Sequence, residues 1–194
     1  MNYYKLLYIS YILLTIQYAS AQICTPELRF TNDEYFSNNQ IDSLKNITYG
    51  EATDYRGYSK NLKMDIYFPN TDIDIAEKRP FILLIHGGGF TGGNRQRMTY
   101  HSVELSKRGF VVATISYRLG YDSEDFGGVQ KAAYRAQQDA NSALSYIATQ
   151  IEKLKIDTSW IFIGGSSAGA ITSLSTSYAS QGEWNQIVPL FESE

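Results

Sequence analysis

Trp160-Ile161-Phe162-Ile163-Gly164-Gly165-Ser166-Ser167-Ala168-Gly169-Ala170 is the stretch that decides the fold. Its first four residues are apolar without alternation, as in a strand covered on both faces. Residues 168–178 then carry a helical pattern. Between them Gly165-Ser166-Ser167-Ala168-Gly169 matches G-x-S-x-G. Such a match means little alone, because Gly and Ser are common in turns. Placed between a buried strand and a helix, it is where a strained turn lifts a serine hydroxyl above a sheet edge. Gly165 and Gly169 leave room for that turn, since a Cβ beside it would collide. The helix N-terminus next to Ser167 favours negative charge.

Working back toward the N-terminus, the same alternation repeats. Residues 129–154 place Ala132, Ala136, Ala140, Ala143, Ile147, Ile151 and Leu154 three or four apart, the spacing of one long amphipathic helix. Residues 110–115 form a second apolar strand. Residues 98–108 form a helix with Gly109 as its C-cap. Phe81-Ile82-Leu83-Leu84-Ile85 is another uninterrupted apolar run. Strand and helix alternating three times predict an α/β fold with a doubly wound sheet. Residues 47–52 and 62–68 precede it as strands joined by a turn at Tyr55-Arg56-Gly57-Tyr58, an antiparallel hairpin. In the second strand Leu62, Met64, Ile66 and Phe68 alternate with Lys63, Asp65 and Tyr67, the period of a half-buried strand. Pro69 stops it, and residues 70–79 form a charged loop.

The chain has 194 residues, 43% hydrophobic and 19% charged, which fits one globular domain. A formal charge of -3 leaves no basic footprint for nucleic acid. Tyrosine is frequent, with 16 residues; some could stack on sugars or aromatic acids, though burial is the commoner use. Residues 1–21 read as a secretory signal peptide, with Lys5, an apolar stretch, and cleavage after Ala19-Ser20-Ala21. The apolar stretch is too short for a membrane anchor, so the expected location is secreted or periplasmic. Residues 22–45 form a polar lead-in, and residues 46–194 carry the domain. Asn46-Ile47-Thr48 is a glycosylation sequon, meaningful only in a eukaryotic secretory pathway. Cys24 stands alone, so no disulfide forms within the chain.

A second motif follows the strand at 81–85: His86-Gly87-Gly88-Gly89-Phe90. Three consecutive glycines let backbone N–H groups converge on one point. Donors arranged this way stabilise the oxyanion of acyl transfer, each worth on the order of 3 kcal/mol. A phosphate-binding glycine loop would need a following Lys-Ser/Thr or a G-x-G-x-x-G spacing, and neither is present.

The two motifs, with Ser116-Tyr117-Arg118-Leu119 and Gln138-Asp139-Ala140, resemble the α/β-hydrolase carboxylesterase/lipase family, the branch with an H-G-G-G-F loop. The likeness runs from about Tyr49 to about Ser177 and is nearest to exported bacterial esterases of the acetylxylan and feruloyl type. It implies Ser167 as nucleophile and the N–H groups of Gly88, Gly89 and Ala168 as oxyanion donors. It implies His86 as a prop for the loop, a small-molecule or polysaccharide-linked ester as substrate, and neither a cofactor nor a metal. In this fold the acid and then the histidine follow the serine. Here the chain has two histidines, His86 and His101, and both precede Ser167; His101 falls on a predicted surface helix. After Ser167 the acids are Glu183, Glu192 and Glu194. The expected fold is therefore an α/β-hydrolase truncated after the elbow helix. Without a base, serine is a poor nucleophile. A serine peptidase or amidase of the same fold, or a catalytically dead hydrolase domain used for binding, stays open beside the esterase.

Asp139 sits at the edge of the helical apolar stripe, where a carboxylate needs a partner. Arg118 is the expected one, in a structural ion pair rather than a substrate contact.

Overall fold

The computed structural model describes residues 29–187. Residues 1–21, where a signal peptide is expected, and Cys24, Glu192 and Glu194 lie outside the described residues. Five strands form one mixed sheet: β1 (Ile41–Thr53), β2 (Ser59–Pro69), β3 (Arg79–Ile85), β4 (Val111–Ser116) and β5 (Ile156–Gly165), in the order β1-β2-β4-β3-β5. β1, β2 and β4 pair antiparallel in sequence of contact, and β4, β3 and β5 run parallel. The hairpin turn is closed by Asp54, whose carboxylate accepts the N–H groups of Arg56 (2.9 Å) and Tyr58 (3.0 Å).

The helices α1 (Thr99–Lys107), α2 (Gly128–Ala148), α3 (Ile151–Leu154), α4 (Ala168–Tyr178) and α5 (Gln181–Ile187) cover the two faces. On one face Phe81, Leu83 and Ile85 pack with the alanine stripe of α2 and with Ile147 and Leu154. Small side chains there bring the helix close to the sheet. On the other face Leu84, Val112 and Met98 pack with Leu105 of α1. This is the doubly wound α/β arrangement expected.

Four expectations need correction. The helix expected over 129–154 is two helices. Thr149 N–H and Oγ1 both bond to the Tyr146 carbonyl, and Gln150 N–H bonds to Ile147, so tighter i to i+3 bonding ends α2. The apolar period continues across the break because α3 buries Leu154 in the same core. The strand at 160–163 exists, but it is not covered: Trp160 and Ile161 are each 48% exposed and Phe162 42%. β5 is the edge strand, paired only with β3 among the described residues. β2 is buried on both faces from Met64 onward rather than half buried, because Asp65 and Tyr67 face covering structure rather than water.

The loop at 70–79 is not simply a solvated charge run. Asp74 is buried and bridges two arginines, accepting from Arg29 at 2.6 and 2.7 Å and from Arg79 Nε at 2.7 Å. This cluster fastens the lead-in to the sheet, and β1 begins at Ile41, ahead of the change of composition at Asn46.

Candidate active site

The parallel strands β3 and β5 deliver the two glycine motifs to the same end of the sheet. Ser167 has φ 52 and ψ -120 and caps the N-terminus of α4. An L-residue there is strained, by about 1–3 kcal/mol. The surroundings impose it. Ser166 N–H bonds to the Ile85 carbonyl at 3.2 Å, holding the turn on the end of β3. A Cβ on Gly165 would strike the Ile85 carbonyl and come within 2.7 Å of the Gly169 carbonyl carbon. A Cβ on Gly169 would strike Ile85 and lie 2.7 Å from the His86 carbonyl. The result is an exposed Ser167 above a buried Ala168.

The loop after β3 folds against this turn. A Cβ on Gly87 would lie 2.7 Å from the Ser166 carbonyl and 3.1 Å from Ser167 Cβ. Gly88 (φ 134), Gly89 (φ 59) and Phe90 (φ 61) all have positive φ. Among the described residues, the N–H groups of Gly88, Gly89 and Ala168 donate to no acceptor. Phe90 is buried, and its carbonyl accepts Gly120 N–H at 2.7 Å.

His86 is fully buried. Its ring stacks on Tyr117, centroids 4.4 Å apart and 13° from parallel. Nδ1 lies 2.8 Å from the Gly87 carbonyl, so Nδ1 carries the proton and donates. Burial pushes the imidazole below its ordinary range, with the nearby Arg97 adding to the effect and the Gly87 bond opposing it. Tyr117 donates to the His86 carbonyl at 3.1 Å and is itself pushed up to about 12, chiefly by burial. Tyr117 lies in the Ser116-Tyr117-Arg118-Leu119 stretch of the likeness, but its contact with His86 is not legible there.

Ser167 Oγ meets no hydrogen-bond partner among the described residues. His101 is exposed on α1, beside Tyr100, and α1 packs on β2 and β4. No group of three or more metal-ligating side chains occurs among the described residues. Asp139 does pair with Arg118. Its carboxylate accepts Arg118 N–H at 2.6 Å and Nε at 2.9 Å, and the two side chains are 1% and 8% exposed. The remaining guanidinium nitrogens bond to the Thr53 carbonyl and Gln138. A cleft of about 440 Å³ opens beside this pair, between Tyr55, Asn61, Thr91 and Leu119.

The BD-FAE family profile matches residues 64–191, about two thirds of the sequence. The chain belongs to the BD-FAE family. Gut esterase 1 of Caenorhabditis elegans is 36% identical over 100 residues, which are 49% of this chain and 17% of that protein. Neuroligin-2 of Rattus norvegicus is 30% identical over 157 residues, 79% of this chain and 19% of its own. Among solved structures, a bacterial heroin esterase superposes with a TM-score of 0.52 at 30% identity, covering 73% of this chain and 40% of that one. The α/β-hydrolase fold and the ester-hydrolase ancestry expected from the motifs are thus met. The chain spans less than half the length of each of these relatives.

Proposed function

We propose that this chain carries the nucleophile half of a serine hydrolase acting on carboxylic esters. The observation that carries the proposal is the strained Ser167, held against a glycine loop whose N–H groups have no acceptor. Ser167 Oγ attacks the ester carbonyl, and the carbonyl oxygen becomes an oxyanion between the N–H groups of Gly88, Gly89 and Ala168. The intermediate collapses to an acyl-serine and releases the alcohol, which needs a proton. Water then attacks the acyl carbon and returns the serine. A histidine takes the Ser167 proton and gives it to the departing alcohol, then takes a proton from water and returns it to Ser167 as the carboxylic acid leaves. This histidine and its acid partner come from polypeptide outside this chain. Ester-class relatives and the BD-FAE match support the ester substrate. The lone Ser167 hydroxyl favours one other reading, a binding domain without turnover. We also propose export, with the mature protein beginning at Gln22.

The chain alone is expected to hydrolyse p-nitrophenyl acetate barely above background. Serine hydrolases that have lost a triad member keep roughly 10³-fold over water, but only with the oxyanion loop correctly folded, and the aggregation expected of the isolated chain works against that. Joined to the segment that supplies the acid and histidine, it turns over small acyl esters. In that protein Ser167→Ala abolishes the acyl-enzyme seen by mass spectrometry, and His101→Ala changes little. Full turnover by Ser167→Ala overturns the proposal. Robust Ser167-dependent turnover by the chain alone overturns its requirement for outside residues.

A further inference from the structure

We infer that Asp65 and Arg95, with Asn46, are positioning residues that brace the far end of the glycine loop. The inference rests on the proposed role of that loop. Asp65 lies inside β2 with its side chain 4% exposed. A carboxylate in such a place costs stability unless it is paired, and an apolar residue would fill the space without that cost. Its partners show what the carboxylate holds. One oxygen, Oδ1, accepts Arg95 Nε at 2.7 Å and Asn46 N–H at 2.7 Å. Asn46 sits at a bulge in β1 with φ 59, and its own side-chain oxygen accepts Arg95 Nη2 at 3.3 Å.

Arg95 is the first residue of the short 3-10 turn Arg95–Met98, directly behind the loop. Its backbone is pinned as well: N–H donates to Ser116 Oγ at 3.1 Å, and its carbonyl accepts Thr114 Oγ1 at 3.2 Å. Side chain and main chain together tie this residue to β1, β2 and β4. Two residues earlier Gly93, at φ 103, closes onto the start of the loop. A Cβ there would lie 2.5 Å from the Gly87 carbonyl and from His86 Nδ1. The loop is therefore slung between two anchors. The near one is His86 against Tyr117, and the far one is Arg95 against Asp65. Between them the Gly88 carbonyl accepts the N–H groups of Thr91 and Gly92, each at 3.0 Å, so Gly88 and Gly89 belong to one turn whose ends these two points fix.

Displacement of such donors by about 1 Å costs on the order of a hundredfold in rate. The test uses the joined, active hydrolase. Asp65→Asn and Arg95→Lys are expected to lower kcat on p-nitrophenyl acetate tenfold or more, on the order allowed by misplaced donors, with KM nearly unchanged. Hydrogen exchange should quicken at residues 86–93 and not in β3. Asp74→Asn breaks a buried pair remote from the loop and serves as the control, with kcat at the parent value. Should Asp65→Asn fail to fold, Asn46→Gly carries the test. Glycine suits the bulge but removes the acceptor for Arg95, and kcat still falls severalfold. If kcat in these variants matches the parent once corrected for folded fraction, the pair is merely structural and the inference is overturned. If Ser167→Ala is as active as the parent, the proposed function fails and this inference fails with it.

Discussion

At Ser167 the backbone is held where an L-residue rarely goes, and the neighbours that hold it there are glycines and the carbonyls of Ile85 and His86. His86 is the nearest group whose protonation would disturb this arrangement. Because burial lowers its folded-state value, the neutral ring contributes stability fully above the unfolded value, about 6.5. That contribution is lost as pH falls below it toward the folded value. Asp74 acts in a more acidic window. Burial raises its carboxyl, but Arg29, the Ala76 N–H and Arg79 together hold it below its ordinary value, so its contribution also fades on acidification. The thermal midpoint should be level just above neutral pH and begin to fall once the pH drops below about 6.5. His86→Asn keeps a donor near the Nδ1 position and should flatten the upper part of that fall; an unchanged slope would exclude His86 as its source. Asp139→Ala should cost roughly 3 kcal/mol or more in denaturant unfolding, because it leaves Arg118 buried and unpaired. Substrate preference should stay as it was, since the guanidinium is committed to structure; a changed substrate profile at unchanged stability would assign the pair to binding instead. Ser167, Gly88 and Gly89 could be found in the sequence because their glycine spacing is imposed by local sterics. The roles of Tyr117, Asp65 and Arg95 could not, since their partners lie 31 or 30 residues away in the chain and no local pattern records those contacts.

Periodicity located every strand and the main helices, because it reports which side of an element meets the core. It is blind to what happens along the axis. The stop after Ala148 is made by hydrogen bonds around Tyr146 and Ile147, while Ile151 and Leu154 keep the apolar rhythm going. It is also blind to neighbours. β3 and β5 read alike as apolar runs, yet among the described residues β3 lies between two strands and β5 has one. In β2 the polar-apolar alternation was genuine, but Asp65 and Tyr67 are covered by the segment behind the glycine loop and by α1. Alternation shows chemistry, and burial depends on what packs against it.

For the molecule as a whole, β5 is the exposed flank. Trp160 and Phe162 project on one side and Ile161 on the other, and α4 adds exposed Ile171, Leu174 and Tyr178. An open edge with apolar residues on both faces templates association. The isolated chain should therefore self-associate at micromolar concentration, with light scattering reduced by Ile161→Lys combined with Leu174→Glu. A soluble, monomeric parent chain with a sharp thermal transition would show that this flank is tolerated. The order of strands also sets a timetable. Phe81 of β3 pairs with Ile161 of β5, eighty positions later in the sequence. At roughly 5–20 residues per second, a ribosome needs on the order of 4–16 s to make that partner. Hydrophobic collapse takes no more than about 100 μs. The flank of β3 that β5 covers must therefore wait, half-dressed, through a long interval in which any apolar surface will serve as a substitute. β4 can cover one side of β3 well before then, so the open side is the one that β5 closes last.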